Sequence, residues 1–440
     1  MFELLIILSR YFFVFYIIYF LWLGICYIRI ERNQIVADKN LVISKQRITI
    51  VLMHLKAFLI LSYTPDTISF SNAMLLIGGL WLIFFGTANF LISKFYENSC
   101  PLIWNGVFFL TSVGIITLGR LDQGLAEQQV IWFFVSFATM LLIPKAISIM
   151  PTFERLEFIY LLSGLGLLTS TFILGYEVFG SARWINIGFI SFQPSEIVTF
   201  IYIFYLASVF RKKLTVQQMI FPSIMAMLHV LMLVAQRNLG SALIFFLTFI
   251  IIMYISTGRE LFFALGMVLA SIGSIIAYHL FGHVRIRVAI WQNPWADVHG
   301  TGNQIVQSLF ALGTWGMWGS GLTRGMPNFV PIVSRDLPFA AITEEFGGIF
   351  AISIIGIYIM IFYRGVHIAL RCRRRYYSLL AVGFTGVLAF QTFIIIGGTI
   401  KLIPLTGITL PFISYGGSSM FVSAMMIGIL QWVYMYYERD

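Results

Sequence analysis

Long apolar runs organise this chain. Stretches of about twenty residues with almost no charge recur along it, and a run of that length crosses the hydrocarbon core of a bilayer as a helix. Thirteen such candidates lie near 6–28, 48–65, 71–93, 101–119, 129–149, 156–177, 196–210, 216–235, 239–257, 260–281, 340–363, 377–399 and 414–436, those near 48–65 and 196–210 being the weakest. The runs do not alternate polar with apolar residues, as barrel strands would. A lipid-facing segment must satisfy its own backbone hydrogen bonds, and a helix does so internally. The expected fold is therefore all-α, a polytopic transmembrane helical bundle. Composition agrees: only 10% of the 440 residues are charged, where a soluble domain carries about a quarter.

The basic residues set an orientation. With the C-terminus placed in the cytoplasm, loops 29–47, 94–100, 145–155, 211–215, 258–260 and 364–376 and the C-terminal tail hold 18 Lys and Arg, the opposite side holds 9, and Lys56 falls within a run. Cytoplasmic loops carry the excess of Lys and Arg, so this orientation is favoured. The clusters "RKK" (211–213) and "RCRRRYY" (371–377) decide most of it, and they read as topology anchors before any specific lipid or partner site. The net charge of +10 then belongs to cytoplasmic loops and anionic head groups, with no need of nucleic acid. The first run, from Tyr11 to Ile28, can span, and no small-residue cleavage site follows it, so it is expected to remain as a membrane helix. Cys26, Cys100 and Cys372 form no disulfide framework, and the six histidines have no metal-binding spacing.

In this orientation the segments 178–195, 236–239, 282–339 and 400–413 face outside, and they hold most of the unusual polar residues. The largest contains "HVRIRVAIWQNPWADVHGTGNQ" (283–304), with Arg285, Arg287, Trp291, Trp295, Asp297 and Gln304 in a turn-rich stretch. Trp faces stack on sugar rings, arginines suit phosphate oxygens, and Asp297 reads first as a helix or turn cap and second as a general base. In "VSRDLPFAAITEEFGGIFA" (333–351), Glu344 and Glu345 are expected to enter a span. Carboxylates there are costly and mark either function or pairing with an arginine elsewhere in the bundle. Loop "GSARWINIGFISFQPSEIV" (180–198) brings Arg183, Trp184 and Glu196, with Pro194 marking a helix start and Glu196 near its positive end. Lys401 and Ser418, in the last outer segment and the "YGGSS" stretch beside it, complete the set. Lys401 either meets a lipid phosphate or snorkels, and the small residues around Ser418 admit a ligand backbone or close helix packing. Outside there is no ATP, so chemistry there needs an already activated substrate.

Six stretches in order resemble the SEDS family, the RodA/FtsW/SpoVE group of bacterial cell-wall proteins: "RLDQGLAEQQVIW" (120–132), "ARWINIGFISFQPSE" (182–196), "QRNLGSAL" (236–243), "NPWADVHGTGNQIVQSLFALGTWGMWGSGL" (293–322), "DLPFAAITEEFG" (336–347) and "IPLTGITLPFISYGGSS" (403–419). The resemblance covers about 101–436, which implies a ten-helix core over 101–440, with its large outer loop at 282–339, preceded by three extra transmembrane helices in 1–100. It implies an inverting glycosyltransferase in the bacterial plasma membrane that polymerises lipid II, an undecaprenyl-pyrophosphate-linked disaccharide-pentapeptide, into peptidoglycan strands for division, elongation or sporulation.

The family's catalytic aspartate position falls on Asp297. The resemblance makes Arg183, Arg285, Arg287 and Lys401 candidates for steadying the departing diphosphate, Trp291 and Trp295 candidates for flanking the sugar, and Trp184, Glu196, Gln304, Glu344, Glu345 and Ser418 further substrate-binding candidates. It implies no organic cofactor, a divalent cation (Mg or Mn) as a candidate, and a class B penicillin-binding protein, a transpeptidase, as partner. The chain departs from the family pattern at Arg237 and Asn238, where proline and an acid are usual, at Thr199, where lysine is usual, and at Pro338. A flippase for lipid-linked precursors, using Glu344 and Glu345, and a catalytically inactive scaffold are the competing readings.

Overall fold

The structure, a computed structural model, describes residues 2–33, 38–64, 69–149, 153–178, 181–187 and 190–437. Each of the thirteen apolar runs forms a helix. They are α1 (Phe2–Asn33), α2 (Lys39–Ser62), α3 (Asn72–Phe95), α4 (Pro101–Leu121), α5 (Gln123–Ile149), α6 (Glu157–Leu174), α7 (Pro194–Phe210), α8 (Val216–Ala235), α9 (Leu239–Thr257), α10 (Glu260–Leu280), and, after three short helices, α14 (Gly348–Arg371), α15 (Arg375–Thr399) and α16 (Gly417–Tyr437). The short helices are α11 (Gly282–Gln292), α12 (Asn303–Gly313) and α13 (Pro338–Phe346). Among the described residues eleven helices are long and apolar enough to cross a membrane. The exceptions are α2, which carries Lys39, Lys45, Arg47 and Lys56, and the 17-residue α7. The chain is a multi-pass, all-α membrane protein.

Two corrections to the sequence reading concern polar backbone. The loop expected at 178–195 contains a small antiparallel sheet, β3 (Tyr176–Val178), β4 (Ser181–Ile187) and β5 (Ile190–Phe192), in that order; a two-stranded pair, β1 (Tyr63–Thr64) and β2 (Ser69–Phe70), closes the α2–α3 connection. The span expected at 340–363 begins only at Gly348, so Glu344 and Glu345 lie on the separate helix α13. Gly347 makes the break, with φ at 90°, a conformation that L side chains avoid. A Cβ there would lie 2.4 Å from the Met317 carbonyl oxygen. The chain from 316 to 321 runs alongside this break. Ser320 and Gly321 donate to the carbonyls of Glu344 and Glu345 at 2.9 Å, and Gly348 and Ile349 donate to those of Gly316 and Met317 at 3.2 Å. Pro338 begins α13, where its missing N–H costs nothing.

The contacts divide the chain into two compact units. The first comprises Met1–Val135, Arg287–Arg364 and Thr392–Gly416; the second comprises Ser136–Ile286, Gly365–Gln391 and Gly417–Asp440. In the first, α2 packs on α1, α3 and α4, and α4 is enclosed along its whole apolar window. Some of the buried polar groups there tie helices together. His54 Nε2 lies 3.2 Å from the Gly78 carbonyl and Nδ1 lies 2.9 Å from Ser112 Oγ. A carbonyl only accepts, so the neutral ring carries its proton on Nε2 and accepts from Ser112, joining α2, α3 and α4. Arg364 Nη1 donates to Glu31 at 2.5 Å, and its Nε donates to Cys100 Sγ at 3.2 Å. In the second unit α7 packs on α6, α9 and α16, and α9 on α8 and α10. Only 6% of the α10 window and 22% of the α8 window are buried, so those helices present apolar faces to lipid.

Candidate active site

Asp297 sits at the end of a single 3₁₀ turn, Pro294–Asp297, between α11 and α12. Proline opens that turn, and the chain then doubles back: Gly302 N–H donates to the Asp297 carbonyl at 3.0 Å. The carboxylate folds over the same turn. Its Oδ2 accepts from Thr301 N–H at 2.7 Å and from Thr301 Oγ1 at 2.9 Å. Gly300 is what permits this, because a Cβ at 300 would lie 2.3 Å from Oδ2 and 2.5 Å from Oδ1. The Thr301 hydrogen bonds hold the carboxyl below the usual aspartate range, mainly through the backbone N–H. The side chain is exposed. Asp297 is therefore both a turn cap and a displayed anion, so the two sequence readings of this residue are compatible.

The polar segments of the first unit contain a small apolar cluster. Ala311 of α12, Val330, Val333 and Leu337 of the following chain, and Ala340 and Ala341 of α13 bury one another, with Leu121 and Leu405 against them. Arg287 Nη1 donates to the Thr406 carbonyl at 3.0 Å, Trp291 Nε1 to the Lys401 carbonyl at 3.1 Å, and Lys401 Nζ to the Gln292 carbonyl at 3.5 Å. These bonds fasten α11 to the segment between α15 and α16. Burial pushes the Arg287 guanidinium below the usual arginine range, and the nearby Asp336 carboxylate opposes that shift. Trp295 is half exposed, edge-on to Phe310 with ring centroids 5.8 Å apart. Gln304 Nε2 donates to the Pro331 carbonyl at 3.3 Å.

Glu344 and Glu345 have internal partners. Glu345 Oε1 accepts from Arg120 Nε at 2.8 Å, and Arg120 Nη2 reaches the Gly325 carbonyl at 2.9 Å. Glu344 Oε1 accepts from Met326 N–H at 2.6 Å. Burial raises the Glu345 carboxyl to about 7, against the pull of Arg120. Sequence reasoning did not find Arg120, Gln128 or Gln129. Tyr415 OH donates to Gln128 Oε1 at 2.5 Å, and Gly416 N–H donates to Gln129 Oε1 at 3.4 Å. The available signal was a polar "RLDQGLAEQQ" stretch interrupting apolar sequence.

The second unit holds the remaining candidates. Arg183 and Trp184 lie on β4; the Arg183 side chain is outside the described set. Pro194 does open α7, with Glu196 buried in its first turn. Gln193 N–H donates to Ser418 Oγ at 3.3 Å, its Nε2 donates to Ser195 Oγ at 2.9 Å, and Asn238 Nδ2 reaches the same hydroxyl at 3.3 Å. Arg285 is exposed on the first half of α11. The departures have local physical outcomes. Arg237 adopts φ 57°, a region closed to proline, so this turn is built differently. Asn238 caps α9 through Ser241 N–H, and Thr199 donates back to the Ser195 carbonyl at 2.8 Å.

A bundle of apolar helices joined by polar segments, one of which displays the Asp297 carboxylate, defines a multi-pass membrane protein. The family model described as "cell cycle protein", covering FtsW, RodA and SpoVE, matches residues 99–439. The chain belongs to this family. It is 33% identical over 382 residues to the peptidoglycan glycosyltransferase RodA of Mycobacterium tuberculosis, covering 80% of this chain and 81% of that one. It is 35% identical over 260 residues to the stage V sporulation protein E of Bacillus subtilis, covering 57% and 70%. Among solved structures, a chain from a peptidoglycan synthase complex that coordinates polymerization and crosslinking superposes with a TM-score of 0.67 at 23% identity, over 78% of this chain and 99% of that one. Thermus thermophilus rod shape determining protein RodA gives 0.55 at 22% identity, over 78% and 98%. The superpositions speak for the fold.

Proposed function

We propose that this protein is a peptidoglycan glycosyltransferase that polymerises lipid II at the outer face of the bacterial plasma membrane, with its C-terminus in the cytoplasm. The observation that carries the reading is the Asp297 carboxylate, exposed and kept ionised by Thr301 above a glycine that leaves it room. The acceptor sugar hydroxyl attacks the anomeric carbon, the bond from that carbon to the lipid diphosphate breaks, and inversion follows. The hydroxyl proton passes to Asp297 and then to water. A carboxylate with a depressed pKa is a weak base, but the hydroxyl becomes far more acidic as its bond to carbon forms, so a late transfer suits it. Such assistance contributes about 10²–10⁴ in rate.

Charge developing on the diphosphate needs cations placed beforehand. Arg183, Arg285, Arg287 and Lys401 are the proposed candidates for that role. Trp291 and Trp295 flank the sugar, and Trp184, Glu196, Gln304, Glu344, Glu345 and Ser418 remain proposed contributors to substrate binding or to the shape of the site. Among the described residues no three His, Cys, Asp or Glu side chains converge as a metal site. A Mg or Mn ion arriving with the diphosphate would supply further charge neutralisation there. Residues 101–440 are the proposed polymerase core and 1–100 an added three-helix block. A class B penicillin-binding protein is the proposed partner. The test is a gel assay of lipid II polymer made by purified full-length protein, with and without a co-purified transpeptidase. Asp297→Asn protein that elutes as a folded species should make no chains, and polymer at the wild-type rate would remove Asp297 from the mechanism.

A further inference from the structure

The second unit contains a cavity of about 300 Å³ at the opposite end of α7 from Gln193, about 25 Å along that helix. Three connections wall it: the link from α7 to α8, the turn from α9 to α10, and the start of α15. Four cations line it, Lys212, Lys213, Arg259 and Arg375, over a floor that includes Phe210 and Met219, and no carboxylate does. Arg375 is committed to structure, since its guanidinium donates to the Ser256 carbonyl and pins the start of α15 to the end of α9. Lys212, Lys213 and Arg259 are exposed, and no carboxylate of the described residues pairs with them.

Charge and shape converge here in a way that a topology signal does not require. Cytoplasmic placement needs only Lys and Arg in the loops, whereas here they surround a concavity at which α8, α10 and α15 all begin. Helix starts carry partial positive charge, which Glu260 in the first turn of α10 offsets there, so the four side-chain cations dominate the cavity. Assembling like charges without a counter-ion is unfavourable, so the cavity is built for an anion. Val216 of the lining is 53% exposed, and Ile220 and Leu261, near the starts of helices α8 and α10, are 55% and 65% exposed. At about 300 Å³ it holds a phosphate with a small head group, the low end of ligand pockets. We infer that this cavity binds the phosphate-bearing head group of an anionic lipid, whose chains lie along the apolar faces of α8 and α10. The site does not involve Asp297, and it stands or falls separately from the glycosyltransferase reading.

Native mass spectrometry of the delipidated full-length protein in detergent tests it, with phosphatidylglycerol, phosphatidylcholine and inorganic phosphate as probes. Wild type should retain phosphatidylglycerol at about a hundredfold lower lipid concentration than the K212A/K213A/R259A variant, consistent with about 1 kcal/mol per cation toward anionic lipid. Phosphatidylcholine should not distinguish the two, and K212R/K213R/R259K should restore binding. Should the alanine variant fail to fold, Leu214→Trp fills the cavity at unchanged charge and should cause the same loss. Three results would each overturn the assignment: an equal loss in the number-matched R371A/R373A/R374A variant, which would mean diffuse attraction; displacement of the lipid by millimolar inorganic phosphate, which would make the ligand free phosphate; or full retention in Leu214→Trp.

Discussion

Two acidic stretches of the first unit use the same functional group in opposite ways. At Glu344–Glu345 the carboxylates are 6% and 3% exposed, and each is satisfied inside the protein, one by Arg120 and the other by a backbone N–H. At Asp297 the carboxylate is exposed and its partner is four residues away. The buried pair holds distant chain segments together, since Arg120 and Glu345 are 225 residues apart. The displayed residue is fixed by its own turn and still faces outward. An acid embedded in a hydrophobic sequence is thus not by itself a mark of chemistry; what matters is whether the fold has already used it.

The contrast can be broken by experiment. The largest effect is expected at Asp297. Asp297→Asn should lower polymer formation by about 10²–10⁴ while leaving the melting temperature in detergent unchanged, because an exposed side chain supports little beyond its turn. Arg120→Met should do the reverse. Breaking a buried pair costs about 3 kcal/mol, the low end applying because Glu345 can take up a proton. The loss would be read as a fall in melting temperature, and a double-mutant cycle with Glu345→Gln should recover part of it. No thermal shift in Arg120→Met would mean that the pair carries no structural weight.

Gly300→Ala sharpens the comparison from the other side. The added methyl collides with the Asp297 carboxyl oxygens, which can swing away at little cost in stability. Misplacement of a catalytic group by about 1 Å costs up to about 10²-fold. The variant should therefore lose about tenfold or more in initial rate while melting normally; unchanged kinetics would mean that the turn geometry does not matter. The smallest effect is a pH slope. Glu345 is raised in the folded protein from 4.5 to about 7. Its contribution to stability is present in full below about pH 4.5 and is lost as pH rises toward 7. The melting temperature should decline between pH 5 and pH 8 in wild type, and that part of the decline should vanish in Glu345→Gln. A slope unchanged by the substitution would assign it to other groups.

Much of the local structure around the candidate site was legible because its signals are local. Pro294, Asp297, Gly300 and Gly302 fall within nine residues, and turn chemistry of that kind is written in adjacent positions. Pro194 before Ser195 and Glu196 announced the start of α7 for the same reason. The Arg120 partnership was not legible, because a residue in one polar stretch does not declare which distant carboxylate it will meet. The break at Gly347 was missed because it depends on backbone hydrogen bonds to the distant 316–321 segment, and β3, β4 and β5 because they are short neighbouring strands that pair locally; apolar periodicity encodes neither.

The sequence by itself determined that this chain is a helical membrane protein, where its apolar helices lie, and which short polar stretches interrupt them. Those properties follow from the cost of exposing backbone and charge to hydrocarbon, a cost each segment meets alone. Only the tertiary structure decided which acids are consumed as partners and which stay exposed, and that loops far apart in sequence enclose a cationic cavity. Pairing and enclosure depend on which segments become neighbours, and that is settled by packing across the whole chain.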